Sequence, residues 1–451
     1  MSRSVGWTRS IVLILISIST ACLAGCHTVP VPELPEGEPI SQEELRILYA
    51  GTVEPLSEEE RALYDGTVGC LLKEDLWTER DLYDACHYLM IPMHYAFYAG
   101  DELYITSFAA FFQRFTDDVT SSDIHQFVKA VDLNKRHFFY FCTQFMALCA
   151  ANGYDSLIPA GLPAMVEEYA RYALFDCPAS WNTEDTMIEH IRQIIAGKQY
   201  DTNYKGVFIG EERFLLALLC DLNYFHTLRG EEYSNIMDDA ADLAYQAFKS
   251  PHLIQETEKD GWLIQPGGWS DYPDYAYAGN EFITENIQPK PREDIAEDSS
   301  HSMTLPLLLR SWQSAQPNQT RWDLFSLRRE QLANQMVNYV LKNVDGKWLC
   351  TTFMDGTNGV YRYAYHEDGV GLAGWDLSEG VLLGWWSMLA DSRITACYQD
   401  ILNDFPMKGD RSNPYFDHAT VREQNPFFDT STAFDTGMYE CIVACAAKIK
   451  L

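Results

Sequence analysis

The stretch "IAEDSSHSMTLPLLLRSW" (residues 295–312) holds two carboxylates, three serines and a histidine directly before an apolar run. Leu305, Leu308, Leu309 and Trp312 recur at helical spacing, which predicts a core-facing helix. Continuing that stripe back by one turn lands on His301. Pro306 is accepted easily only in a first turn, so the helix is expected to start at a cap on Ser302 or Thr304. His301 then stands at the helix mouth, between a polar insert and the core. Glu297 and Asp298 either raise its pKa or complement the helix N-terminus.

Working outward, the same periodicity recurs in pairs. It predicts helices over 42–50, 57–65, 79–99, 104–118, 122–152, 161–175, 184–198, 210–228, 231–249, 302–315, 325–344, 376–391, 393–404 and 430–449. "SQEE" (41–44) and "SEEE" (57–60) read as capping boxes, and "DLSE" (376–379) offers Asp376 as a cap. Short connections between such helices predict antiparallel hairpins. Two inserts break the rhythm. Residues 251–300 are dense in Trp, Tyr, Asp, Gly and Pro. Residues 347–369 read as a β-hairpin folded about "DGTNG", with Tyr361, Tyr363 and Tyr365 on one face and Arg362 and His366 on the other.

About a dozen amphipathic helices in hairpins, without a short repeat, resemble the (α/α) toroids of polysaccharide lyases, glycoside hydrolases and uronyl epimerases. The resemblance implies an all-α fold: a toroid or barrel of helical hairpins spanning 42–451, with a small β-hairpin insert. It also implies a substrate cleft at one mouth, walled by the two inserts.

The N-terminus carries Arg3, Arg9, an apolar core and "LAGC" (23–26). This resembles the bacterial lipoprotein signal, which implies removal of residues 1–25 and lipidation of Cys26. Residues 26–41, rich in Pro and Glu, then read as a flexible tether. Under the family's sorting rule, His27 after the cysteine favours the outer membrane if the host has one. The whole chain has 33 basic and 65 acidic residues, a net charge of −32. That charge opposes nucleic acid and anionic lipid at long range, although a local arginine cluster still permits an anionic substrate. The ten cysteines beyond Cys26 lie mostly in apolar helical runs, so buried thiols and few disulfides are expected.

Three groups of residues could carry chemistry. "GWLIQPGGWSDYPDYAYAGNEF" (261–282) interleaves Trp269, Tyr272, Tyr275 and Tyr277 with Asp271 and Asp274. Sugars present apolar C–H faces and polar edges, so aromatic platforms beside carboxylates suit a glycan. Asp and Pro there also serve as ordinary turn formers. The second is His301, able to take or give a proton near neutral pH. The third is the tyrosine segment, where Tyr363 is a candidate proton donor, Tyr361 and Tyr365 candidate platforms, and Arg362 a candidate carboxylate binder. His366, Glu367 and Asp368 are adjacent on one strand and cannot turn to one point, so no metal site is expected. No phosphate loop, serine-esterase elbow or zincin motif is present, and no cofactor is implied.

Two reaction classes fit. A hydrolase needs two carboxyl groups flanking the scissile bond, with Asp271 and Asp274 among the candidates. A uronate lyase or epimerase needs a base, an acid and a cation at the developing enolate, which His301, a tyrosine and Arg362 supply. A third possibility is a non-catalytic envelope lipoprotein that binds glycan or protein. The expected partners are therefore a polysaccharide and, through the lipid, a membrane.

Overall fold

The computed structural model describes residues 37–78, 80–122, 124–180, 184–363, 371–416 and 425–450. Cys26, Tyr365 and His366 lie outside them. The described residues are predominantly helical, with three two-stranded antiparallel sheets among them.

Burial does not follow length: Glu102–Ser121, 20 residues long, buries only one face, whereas the 10-residue Leu305–Ser314 is buried throughout. Asp81–Ala99, Leu133–Asn152, Gly210–Arg229 and Leu305–Ser314 bury nearly every residue, as expected of helices with neighbours on all sides. Asp81–Ala99 packs on Leu133–Asn152, which packs on Gly210–Arg229, which packs on Leu305–Ser314. Met438–Lys448 packs on Asp81–Ala99. More amphipathic helices lie against these: Asn235–Lys249 on Gly210–Arg229, Gln319–Gln335 on Leu305–Ser314, and Ser392–Leu402 on Met438–Lys448.

Polar side chains also meet in this interior. Asp221 accepts from Tyr49 Oη (2.7 Å), Thr143 Oγ1 (2.9 Å) and Gln144 Nε2 (2.8 Å). Gln144 Oε1 lies 3.0 Å from His94 Nε2, and His94 Nδ1 lies 3.0 Å from Tyr98 Oη. Burial pushes the Asp221 carboxyl up to about 6 despite these donors. Ser311 and Arg310 extend the group: Gln144 Nε2 donates to Ser311 Oγ (3.0 Å), and Arg310 donates to Tyr98 Oη (2.5 Å).

Several sequence expectations are corrected. The run 122–152 is two helices, because Asp132 caps a new one at Leu133. The helix expected to reach residue 344 ends in a π turn at Val340 and continues as strand Leu341–Val344. That strand pairs with Lys347–Cys350, so the hairpin turns at Asp345–Gly346, not at "DGTNG". Both turn residues have positive φ (50° and 86°), the signature of a type I′ hairpin turn. Residues 376–391 form three short helical pieces, interrupted at Gly384 (φ 79°), and Asp376 instead accepts from Ala373 N (2.7 Å). The 430–449 run breaks at Gly437 (φ 78°).

Ser41 and Ser57 do form capping boxes. The expected tether is pinned before residue 41: Glu38 O accepts from Gln319 N (2.9 Å), and Pro39 bridges to Asn318. The ten described cysteines are free thiols, most of them buried.

Candidate functional site

Residues 295–304 take two helical starts rather than one. Asp298 is the N-cap of a short helix, Ser299–Ser302, and accepts from the N–H groups of Ser300 and His301 (both 3.1 Å). A second helix begins at Leu305, with Pro306 in its first turn. His301 thus rides on the short helix in front of the core helix.

The capping carboxylate also binds the imidazole. Asp298 Oδ2 lies 2.8 Å from His301 Nδ1, accepts from Tyr275 Oη at 2.9 Å, and is 1% exposed as a side chain. Ser300 Oγ donates to Oδ1 at 2.5 Å, and the Asp298 N–H donates back to Tyr275 Oη (3.2 Å). Burial opposes this charge, yet His301, Ser300 and Arg362 together hold the carboxyl far below the usual carboxylate range.

The His301 side chain is 45% exposed. Its Nδ1 is spent on Asp298, and its Nε2 makes no hydrogen bond to any described residue. Desolvation pulls the imidazole pKa down, but the adjacent carboxylate outweighs it and the net direction is up.

The flanking segment is strained. Arg362 has a left-handed backbone (φ 55°). It is clamped by Asp274, whose carbonyl accepts from Arg362 N and whose carboxylate accepts from Nε, both at 2.9 Å. Burial outweighs the guanidinium, so the Asp274 carboxyl is pushed up. Tyr361 is buried behind it, its ring 5.1 Å from that of Tyr275.

Neighbouring helix starts supply further rings. His137 stacks within 4.0 Å of Phe214, 4.5 Å of Tyr83 and 4.9 Å of His87. Burial pushes its pKa down, and the charges of His87, His301, Arg136 and Arg80 add to that. Arg80 lies over Tyr83 at 4.2 Å.

The predicted site residues do not all meet in one place. His301, Asp274, Tyr275, Tyr361 and Arg362 converge around Asp298. Trp269, Tyr275 and Tyr361 are buried in a second apolar core with Phe353 and Ile295, the Trp269 and Tyr275 rings stacked at 5.4 Å. Their faces are consumed by protein, which corrects the expectation that they are sugar platforms. Tyr272 packs against the same core, while Tyr277 and Tyr363 pair at 4.7 Å and remain partly exposed. Asp271 is elsewhere: its carboxylate accepts from the N–H groups of Asn203 (2.7 Å) and Tyr204 (3.1 Å) and caps that turn.

Asp298, which the sequence offered as a neighbour able to raise the His301 pKa, stands at the centre of the cluster as its direct imidazole partner. The i, i+3 spacing of Asp298 and His301, with an N-cap between loop and helix, is the signal that could have found that pairing. Glu297, its neighbour, turns the other way to Arg213 (3.0 Å) and Ser302 (2.9 Å).

A larger groove of about 400 Å³ opens elsewhere, lined by Lys198, Tyr200, Thr202, His252, Gly267 and Gly268. It shares no lining residue with the Asp298 cluster, so the groove and the histidine–carboxylate pair occupy different parts of the surface. Among the described residues no cluster of three or more His, Cys, Asp or Glu side chains is placed to hold a metal ion, and no helix is long and apolar enough to cross a membrane. No family model, curated protein or solved structure matches this chain.

Proposed function

We propose that this chain is a lipid-anchored envelope protein that acts on a polysaccharide by proton transfer through His301. One observation carries the reading: a solvent-facing imidazole whose Nδ1 is fixed by a buried carboxylate and whose Nε2 is open. Such an arrangement sets the tautomer and aims one nitrogen outward, as an acid or base requires.

The balance favours a uronate lyase or epimerase over a hydrolase. Asp271, Asp274, Glu297 and Asp298 are engaged by backbone N–H groups, Arg362, Arg213 and His301 respectively. A free facing pair of carboxylates is what hydrolysis needs, whereas abstraction next to a carboxylate needs a base and a nearby cation. His301 supplies the base, and Arg362, positioned through Nε by Asp274, supplies the charge near it, with Tyr363 next in the chain. Anchoring through Cys26, in the outer membrane where the host has one, follows from the "LAGC" resemblance. The helix contacts support a toroidal arrangement: Leu305–Ser314 meets Trp385–Leu389, which meets Met438–Lys448, which returns to Asp81–Ala99.

The test is incubation with acidic and neutral polysaccharides, following unsaturated uronate formation and hydrogen exchange at the uronate carbon next to the carboxylate. Turnover that His301→Ala abolishes supports the reading. Reducing ends appearing without unsaturation or exchange select the hydrolase. Binding without turnover on every polymer selects the non-catalytic lipoprotein, which the same exposed site would equally serve.

A further inference from the structure

We propose that Trp375 is the platform on which a sugar ring stacks beside His301; this rests on the glycan reading above.

The starting point is a backbone that a tryptophan should avoid. Trp375 has φ 76°, where the Cβ of any L-residue crowds the neighbouring carbonyl and bulky side chains are genuine outliers. Such conformations persist where surrounding contacts over-determine them, and they cluster at functional sites.

The surroundings here do over-determine it. Leu372 and Tyr361 exchange two backbone hydrogen bonds of 2.8 Å. Gly374 passes so close to Asn358 that a Cβ there would meet it at 2.8 Å. Ala373 N donates to Asp376 Oδ2 (2.7 Å), and Ser378 N donates to Trp375 O (3.0 Å). A glycine would satisfy this chain path without strain, yet an indole occupies it.

Its place in the fold adjoins the candidate site. The turn Asp376–Ser378, immediately after Trp375, packs on the His301 helix Ser299–Ser302. Gly380 faces Met303 Sδ at 3.5 Å from an added Cβ. The strand-like bridge through Tyr361 ties the same segment to the pocket behind Asp298.

The side chain packs in part against the main apolar core and stays partly exposed, and no other aromatic ring of the described residues lies against it. Trp269, Tyr275 and Tyr361, by contrast, are walled in by one another. A flat apolar face with a polar N–H edge suits the C–H face of a pyranose and its hydroxyl rim.

The decisive variant is Trp375→Gly, with Trp375→Phe beside it. The full chain is titrated with trigalacturonate and with cellotriose, and thermal midpoints are recorded for each variant. We expect the glycine variant to bind the better probe about tenfold more weakly, a loss of one stacked ring. Its midpoint should stay level or rise, because strain is released, and the phenylalanine variant should bind at an intermediate level. Unchanged affinity in the glycine variant overturns the platform. A midpoint lowered by several degrees also overturns it, by making the indole a packing group. His301→Ala should lose turnover while keeping the stacking affinity, so the two roles fail separately. A wild-type chain that binds neither probe sinks the glycan reading and the platform with it.

Discussion

Two histidine–carboxylate pairs occupy the starts of neighbouring helices, and they differ in one nitrogen. His301 gives Nδ1 to Asp298 and leaves Nε2 open on a half-exposed side chain. His190 meets Glu212 through Nδ1 and also places Nε2 2.6 Å from the Lys205 carbonyl, with both side chains buried. A carbonyl only accepts, so Nε2 of His190 carries a proton, and the close carboxylate favours one on Nδ1 as well. Both imidazoles have raised pKa values for the same reason: a carboxylate partner that outweighs desolvation. Pairing therefore does not identify the functional histidine. What separates the two is whether a nitrogen remains for a substrate.

The sharpest way to break the comparison is to remove each imidazole. His301→Ala should lower turnover by about 10²–10⁴-fold, the usual worth of a positioned acid or base. Stability should fall as well, because the buried Asp298 carboxylate loses its imidazole partner, so the rate is read per folded molecule. If turnover survives, the open nitrogen has no catalytic meaning.

Glu212→Ala should cost stability alone. It leaves a cationic imidazole buried without its partner, which costs about 3–5 kcal/mol of stability. Chemical denaturation would read this loss, with turnover per folded molecule unchanged. A variant that stays as stable as wild type would mean that His190 simply sheds its proton and the pair holds nothing together.

The shared cause of the raised pKa can be tested at His301 alone. Asp298 favours the imidazolium, so the limb of the pH–rate profile set by His301 lies above its ordinary value of about 6.5. The limb ascends with pH if His301 is a base and descends if it is an acid. Asp298→Asn removes the charge but keeps the volume, so desolvation prevails and the limb should move to lower pH. A limb that stays in place would show that another group titrates.

The sequence made the helical class legible because the longest helices carry apolar residues on every face or in a clear stripe. It also placed His301 at a helix mouth, since Pro306 constrains where a helix can begin. Boundaries failed where one residue's backbone decided the outcome: Gly384 and Gly437 in left-handed conformations broke helices that periodicity alone extends. The hairpin was misplaced because "VDGK" (344–347) and "MDGT" (354–357) carry the same turn dipeptide, and only strand pairing chooses between them. For the site, residue type could not say which aromatics are walled in. Trp269 and Trp375 are the same side chain, yet one is buried and ring-stacked while the other rests partly exposed against the main core.

Asp271 gives the smallest and most specific contrast. The sequence offers it as a catalytic carboxylate on an aromatic loop, but its two oxygens accept backbone N–H groups at the start of a short turn, Tyr204–Gly206. That is the job of a helix cap, and losing such a cap costs about 1 kcal/mol. Asp271→Ala should therefore lower stability by that amount and leave the rate and pH profile intact. Asp271→Asn, which retains an acceptor oxygen, should recover part of the loss. A large fall in turnover with stability preserved would return the carboxylate to the catalytic set, and the balance would swing back toward hydrolysis.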